Sequence, residues 1–284
     1  MNFLRQFIEN VKDMIMSSLI GDSLDEEPSL KGEELAAFNE ESLKLIKSTP
    51  FEEKFAMSLA APFRDLFINT DTYSSGIRKS RKKYDAIYPL HLYILDGGVK
   101  TKRELNSRKK CLKALFNVET PEELISCIAI NSEKALQMAG RSDARIRSPF
   151  KESFSRRLEG VKIDPQRRKS ASTLFSFTAF AATLGYDARY LDKEESMQLL
   201  KNINLAVRSM YSYSESWFDF SQGFLEKESM SMILHYPSFR RHLARTMNYL
   251  LHSSVSPWNN IQFYVPKVIE NESKLFAGKK RRPH

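Results

Sequence analysis

Cysteine is nearly absent from this chain: Cys111 and Cys127 are the two in 284 residues. Two thiols cannot build the dense crosslinking of a small secreted scaffold. Both fall on apolar positions of expected helices, which reads as small buried side chains in a reducing compartment. Glycine and proline are also scarce, at 10 and 11, so a collagen-like or broadly disordered chain does not fit. No run reaches the roughly 18 apolar residues that a membrane span needs. The N-terminal stretch 1–21 is interrupted by Arg5, Glu9, Lys12 and Asp13, which a secretory leader would not tolerate. There is no nucleophile elbow, no phosphate-binding glycine loop and no metal-ligand spacing. His235, His242 and His252 lie close in sequence, but Pro237 falls between the first two and no ligand pattern results. No catalytic residue, metal or cofactor is therefore assigned.

What is present is apolar and aromatic mass. Hydrophobic residues make up 42% and aromatics 11%, enough for a sizeable core in one or two domains. The net charge of +9 is uneven. Residues 1–60 hold 6 Lys/Arg against 12 Asp/Glu, whereas the remainder holds 38 against 23. An acidic arm ahead of a basic body suggests self-neutralisation or a choice of partner.

The periodicity is helical almost throughout. Phe3, Leu4, Phe7, Ile8, Val11, Met14 and Ile15 mark an amphipathic first helix, suited to docking on its own domain or on a partner, with a membrane surface ranked below these because its face carries few basic residues. The acidic, Pro-containing stretch 21–32 is the best linker. Helices are expected over 33–47 and from Pro50, where Glu52 and Glu53 favour the first turn. Pro62 should kink or split the latter. Residues 84–95 are dense in Tyr, Ile and Leu around Pro89; a buried helix broken at Pro89 is expected there rather than a strand. Further helices are expected over 101–116 and 121–139, the second started by Thr120, Pro121, Glu122 and Glu123. A short helix is expected around 150–158, then a basic loop over 164–169. Faces continue through Phe239, Leu243, Met247, Leu250 and Leu251, and a last segment starts at Pro257–Trp258. The expectation is an all-α protein: a single globular multi-helix domain over 31–277, an amphipathic N-terminal helical arm over 1–30, and a disordered basic tail over 278–284.

The most regular stretch is 175–220. Leu174, Phe177, Ala181 and Leu184 form one apolar stripe, and Gly185 follows it as an expected left-handed stop. Asp192 and Glu195 have capping-box spacing, and Leu199, Leu200, Ile203, Ala206, Val207 and Met210 form the next face. The short connection 185–191 predicts antiparallel neighbours.

Three segments carry a family resemblance: RKKCLKALFNVETPEELISCI at 108–128, LGYDARYLDKEESMQLL at 184–200, and 211–225 with its Trp217-Phe218-Asp219-Phe220 core. Over about residues 105–270 the chain resembles the YbeU/YbeR-like group of bacterial proteins, a domain of unknown function. The resemblance implies a cytoplasmic, mostly helical bacterial protein with no assigned substrate. Members usually carry a Trp-Asp pair and an Arg before the Gly-Tyr turn; Thr173, Leu174 and Phe177 stand there instead. If those groups form an ion pair in relatives, an apolar replacement is the natural reading.

Two candidate sites follow. Asp187, Arg189 and Tyr190 lie on the helix connection, and with Trp217 and Asp219 they would line a polar pocket. Arg78, Lys79, Arg81, Lys82 and Lys83, with Arg108, Lys109 and Lys110, would make a basic patch for an acidic partner or nucleic acid. No recognition motif accompanies that patch, so nucleic acid ranks last. The leading expectation is a non-enzymatic protein-interaction module with a protein partner, of which an immunity or accessory factor is one version. An enzyme of unknown class using the pocket ranks second.

Overall fold

The computed structural model describes residues 32–67, 89–95, 102–141, 148–151, 163–211, 216–225 and 237–263. The expected arm, residues 152–158 of the short helix expected around 150–158, and the basic tail lie outside these. The described residues are helical with no strand among them, so the protein is all-α. In chain order the helices are α1 (Gly32–Ser48), α2 (Phe51–Phe67), α3 (Lys102–Phe116), α4 (Pro121–Met138), α5 (Pro165–Asp187), α6 (Lys193–Met210), α7 (Trp217–Ser221), α8 (Pro237–His252) and α9 (Pro257–Asn260). No helix is long and apolar enough to cross a membrane among the described residues.

Helix α5 is the axle. It packs against α2, α3, α4 and α6. Its middle, Phe175 to Gly185, is buried except for Phe177, because Ala179, Ala181 and Ala182 let neighbours approach on every side. Helix α2 is similarly enclosed: from Phe55 to Phe67 every residue but Asp65 is buried. Aromatic rings join these helices to the C-terminal ones. Phe63 meets Phe177 at 5.0 Å and Phe224 at 5.7 Å. Phe55 meets Trp217 at 5.4 Å, and Trp217 stacks on Trp258 at 5.3 Å. The Phe177 ring centre lies 4.4 Å from that of Phe116.

Three boundaries differ from expectation. Pro62 neither splits nor ends α2, which runs unbroken to Phe67. A proline frees the carbonyl four residues back, here Ser58 O. The Trp258 indole N–H donates to that oxygen at 2.9 Å, so the helix continues without an unsatisfied group. The expected basic loop 164–169 is instead the N-cap and first turns of α5. Asp164 accepts from Gln166 N at 2.7 Å and Pro165 occupies the first helical position. Finally, Gly185 is not the left-handed stop. Helix α5 runs on to Asp187, and Arg189 holds the positive φ of 60°. Gly185 is required by space: a Cβ there would overlap Leu124 Cδ2.

Elsewhere the capping signals act as written. Thr120 and Glu123 form the capping box of α4, and Asp192 and Glu195 that of α6. After Pro89 a 3-10 turn spans Leu90–Leu92, and Leu92 to Leu95 are buried; residues 84–88 lie outside the description. Tyr93 donates to Val255 O at 2.9 Å, and Leu95 N donates to Glu53 Oε1 at 3.0 Å.

Candidate functional site

The α5–α6 corner is built from the end of one helix and the cap of the next. Three backbone bonds close it: Arg189 N to Tyr186 O at 2.9 Å, Tyr190 N to Gly185 O at 2.9 Å and Leu191 N to Gly185 O at 3.3 Å. This closure needs a left-handed residue, and Arg189 supplies it at a steric cost that glycine would avoid. Tyr190 then donates to Glu119 O at 2.6 Å, which ties the corner to the α3–α4 turn. That turn carries the other non-glycine positive φ among the described residues, Asn117 at 54°. Lys109, from α3, lies 5.3 Å from the centre of the Tyr190 ring. Burial, then the Glu119 and Glu123 charges, raise the Tyr190 phenol above its ordinary range.

Asp187 does not sit on the solvent-facing connection. It is the last residue of α5 and its side chain is 1% exposed. Arg64 of α2, 0% exposed, reaches it with Nη1 2.8 Å from Oδ2. Arg64 Nε also donates to His91 O at 2.8 Å. Burial lowers the Arg64 guanidinium below its usual value, and Asp187 opposes that shift. Arg108 is buried at 3% and close enough for its charge to act on both Arg64 and His91. The edge of His91 reaches solvent, but its Nε2 does not and has no hydrogen-bond partner. Burial, then the two arginines, push that imidazole down to about 3, so it is neutral at pH 7.

Above this buried cluster lies a cavity of about 470 Å³, lined by Leu95, Tyr186, Asp187, Arg189, Tyr190, Leu191 and Asp192. Asp187, Arg189 and Tyr190 thus share a pocket. Trp217 and Asp219 are not in it. Trp217 is buried in the aromatic cluster, its indole N–H donating to Ile261 O at 2.7 Å. Asp219 closes the capping box of α7, accepting from Ser216 N at 2.8 Å and Ser216 Oγ at 3.0 Å. The Ser216-x-x-Asp219 spacing was a capping signal in the sequence.

The basic patch is divided. Arg78, Lys79, Arg81, Lys82 and Lys83 lie outside the described residues. Arg108 points into the core, whereas Lys109 and Lys110 are exposed, because successive helix positions turn by about 100°. Arg64 and His91 escaped the sequence reading. The available signal was that the flanking run FAMSLAAPF offers no wet face, which forces an arginine in the next turn to be buried. Among the described residues no group of His, Cys, Asp and Glu could hold a metal ion.

Compared with protein-family models, curated proteins and solved structures, the chain matches none.

Proposed function

We propose that the chain is a non-catalytic protein-interaction module. Phe218 carries this reading. It is 60% exposed between Trp217 at 5% and Phe220 at 0%. The helix that presents it is fixed by the Ser216–Asp219 capping box and by the stacked Trp217–Trp258 pair. A phenyl ring has only two side-chain torsions to order and here stands on a fixed backbone, which suits it to anchor a partner with an apolar recess. Leu45, Ile130 and Met138 are the other large apolar side chains exposed among the described residues. Ile130 and Met138, eight apart on α4, share a helix face.

The enzyme reading is weaker on these contacts. Asp187 is paired with Arg64, Asp192 caps α6 and Asp219 caps α7, so each carboxylate of the candidate site has a structural task. The nucleic-acid reading loses Arg108, which is buried. The free thiols and the family resemblance support a reducing, cytoplasmic setting in a bacterium.

The test is affinity purification with mass spectrometry from the native host, using wild type, Phe218→Ser, and Leu45→Ser as a surface control. Supporting the proposal requires one protein lost with Phe218→Ser, kept with Leu45→Ser, and bound again by the purified wild-type chain. Retention of every captured protein by Phe218→Ser defeats it. Loss only on deleting residues 1–30 moves the contact to the arm.

A further inference from the structure

We propose that the α5–α6 corner cavity is a binding site for a small organic anion, a carboxylate or phosphate carried on a compact apolar or aromatic body. This inference is separate from the partner-binding reading, since Phe218 does not line the cavity.

The volume, about 470 Å³, falls in the range of small-molecule pockets. Its walls divide by chemistry. Leu95, Leu191, Tyr186 and Tyr190 offer apolar and aromatic surface. Of the charged lining groups, two are already engaged. Asp187 is tied to the buried Arg64 guanidinium, and Asp192 accepts from Glu195 N at 2.8 Å. Asp187 is thereby neutralised, whereas Asp192 is exposed, keeps its charge and gives one oxygen to its own helix cap. Arg189 differs: it is exposed, and no hydrogen bond or ion pair engages its guanidinium among the described residues. It is the group left with donors to offer, in the fork geometry that fits carboxylate and phosphate oxygens.

Charges of both signs surround the cavity. Beneath the cavity, Arg64 and Arg108 lie buried around Asp187. At the rim Lys109 stands over the Tyr190 ring. Of the nearby acids, Glu119 pairs with Lys113 at 2.9 Å, Glu123 closes the α4 capping box, and Glu53 meets Lys193 at 3.9 Å and Leu95 N at 3.0 Å; Glu119 and Glu123 still act on the Tyr190 phenol. The buried Arg64 charge offsets Asp187 beneath the floor, which leaves the Arg189 guanidinium as the cationic group of the lining.

Isothermal titration of the full chain with phenyl phosphate, benzoate, inorganic phosphate and benzylamine tests this. Expected is saturable 1:1 binding of phenyl phosphate or benzoate with Kd at or below about 1 mM. Which of the two binds more tightly identifies the oxyanion. Arg189→Gly keeps the left-handed backbone and removes the guanidinium, so it folds, and it should weaken binding by about tenfold or more. Arg189→Lys should restore part of the loss. Failure of both aromatic anions to saturate, tighter binding of benzylamine, or unchanged affinity in Arg189→Gly overturns the proposal. Equal affinity for inorganic phosphate overturns the apolar-body part of it.

Discussion

Removing the Asp187 carboxylate should be among the most damaging single changes this fold can suffer. In Asp187→Ala, Arg64 stays at 0% exposure with one hydrogen bond, from Nε to His91 O, and with Arg108 as a like-charged neighbour. Deleting one partner of a buried pair costs about 3–5 kcal/mol, because the other is left as an uncompensated charge. At about 2–4 °C per kcal/mol for a domain of this size, the melting temperature falls by roughly 6–20 °C. The assay is calorimetry beside urea denaturation at pH 7. A cycle with Arg64→Met separates the pair from the packing around it. Each single change should cost several kcal/mol. The double variant Arg64→Met/Asp187→Ala should recover all but about 1–3 kcal/mol, the remainder being His91 O without its donor. If Asp187→Ala costs less than about 1 kcal/mol, or the double change costs the sum of the singles, the pair is not the buried clamp described above.

Three further outcomes are expected. Trp258→Phe removes the donor to Ser58 O and should cost about 1–3 kcal/mol; adding Pro62→Ala, which returns a backbone N–H to that carbonyl, should cancel most of the hydrogen-bond part, and independence of the two changes in urea denaturation would refute the link. His91 titrates at about 3 when folded and at an ordinary 6.5 when unfolded, so the unfolded state takes up the proton first as pH falls. Its contribution is complete above about pH 6.5 and is lost between there and pH 3, by at most about 5 kcal/mol; urea midpoints measured across that window should flatten in His91→Gln. Arg189→Gly should hold or raise the melting temperature, since relief of about 1–2 kcal/mol of left-handed strain outweighs the chain entropy glycine adds; a loss above about 1 kcal/mol would show that the arginine stabilises the corner.

Local chemistry made most of the helices legible. Thr120, Asp192, Pro121 and Pro165 act through neighbours two or three residues away, so their spacing alone encodes the caps. What escaped depends on partners far off in sequence. Pro62 reads as a break until Trp258, nearly two hundred residues later, caps the carbonyl it frees. Gly185 reads as a stop because glycine usually means positive φ. Its place is decided by the approach of Leu124, and the helix could extend because Arg189 accepts the left-handed turn. The candidate pocket was half legible for the same reason. Arg189 and Tyr190 follow Asp187 within three residues, so one turn gathers them. Trp217 and Asp219 were grouped with them by sequence proximity, yet the aromatic cluster and a capping box claim them.

Arg189 joins the two halves of this account. Helix corners of this type favour glycine, whose backbone enters the left-handed region freely. A long cationic side chain there gives up stability without recovering it from any contact among the described residues. Below it the corner is stiff: Asp187 is clamped to Arg64, and Tyr190 is tied to Glu119 O. Strain of this kind persists only where the surroundings over-determine it. The same stiffness fixes the backbone from which Arg189 reaches the cavity lining, so a ligand that engages it has to order a side chain but not the corner. Stability and binding therefore pull in opposite directions at this position, and Arg189→Gly reads both at once: a chain at least as stable, and an emptier pocket.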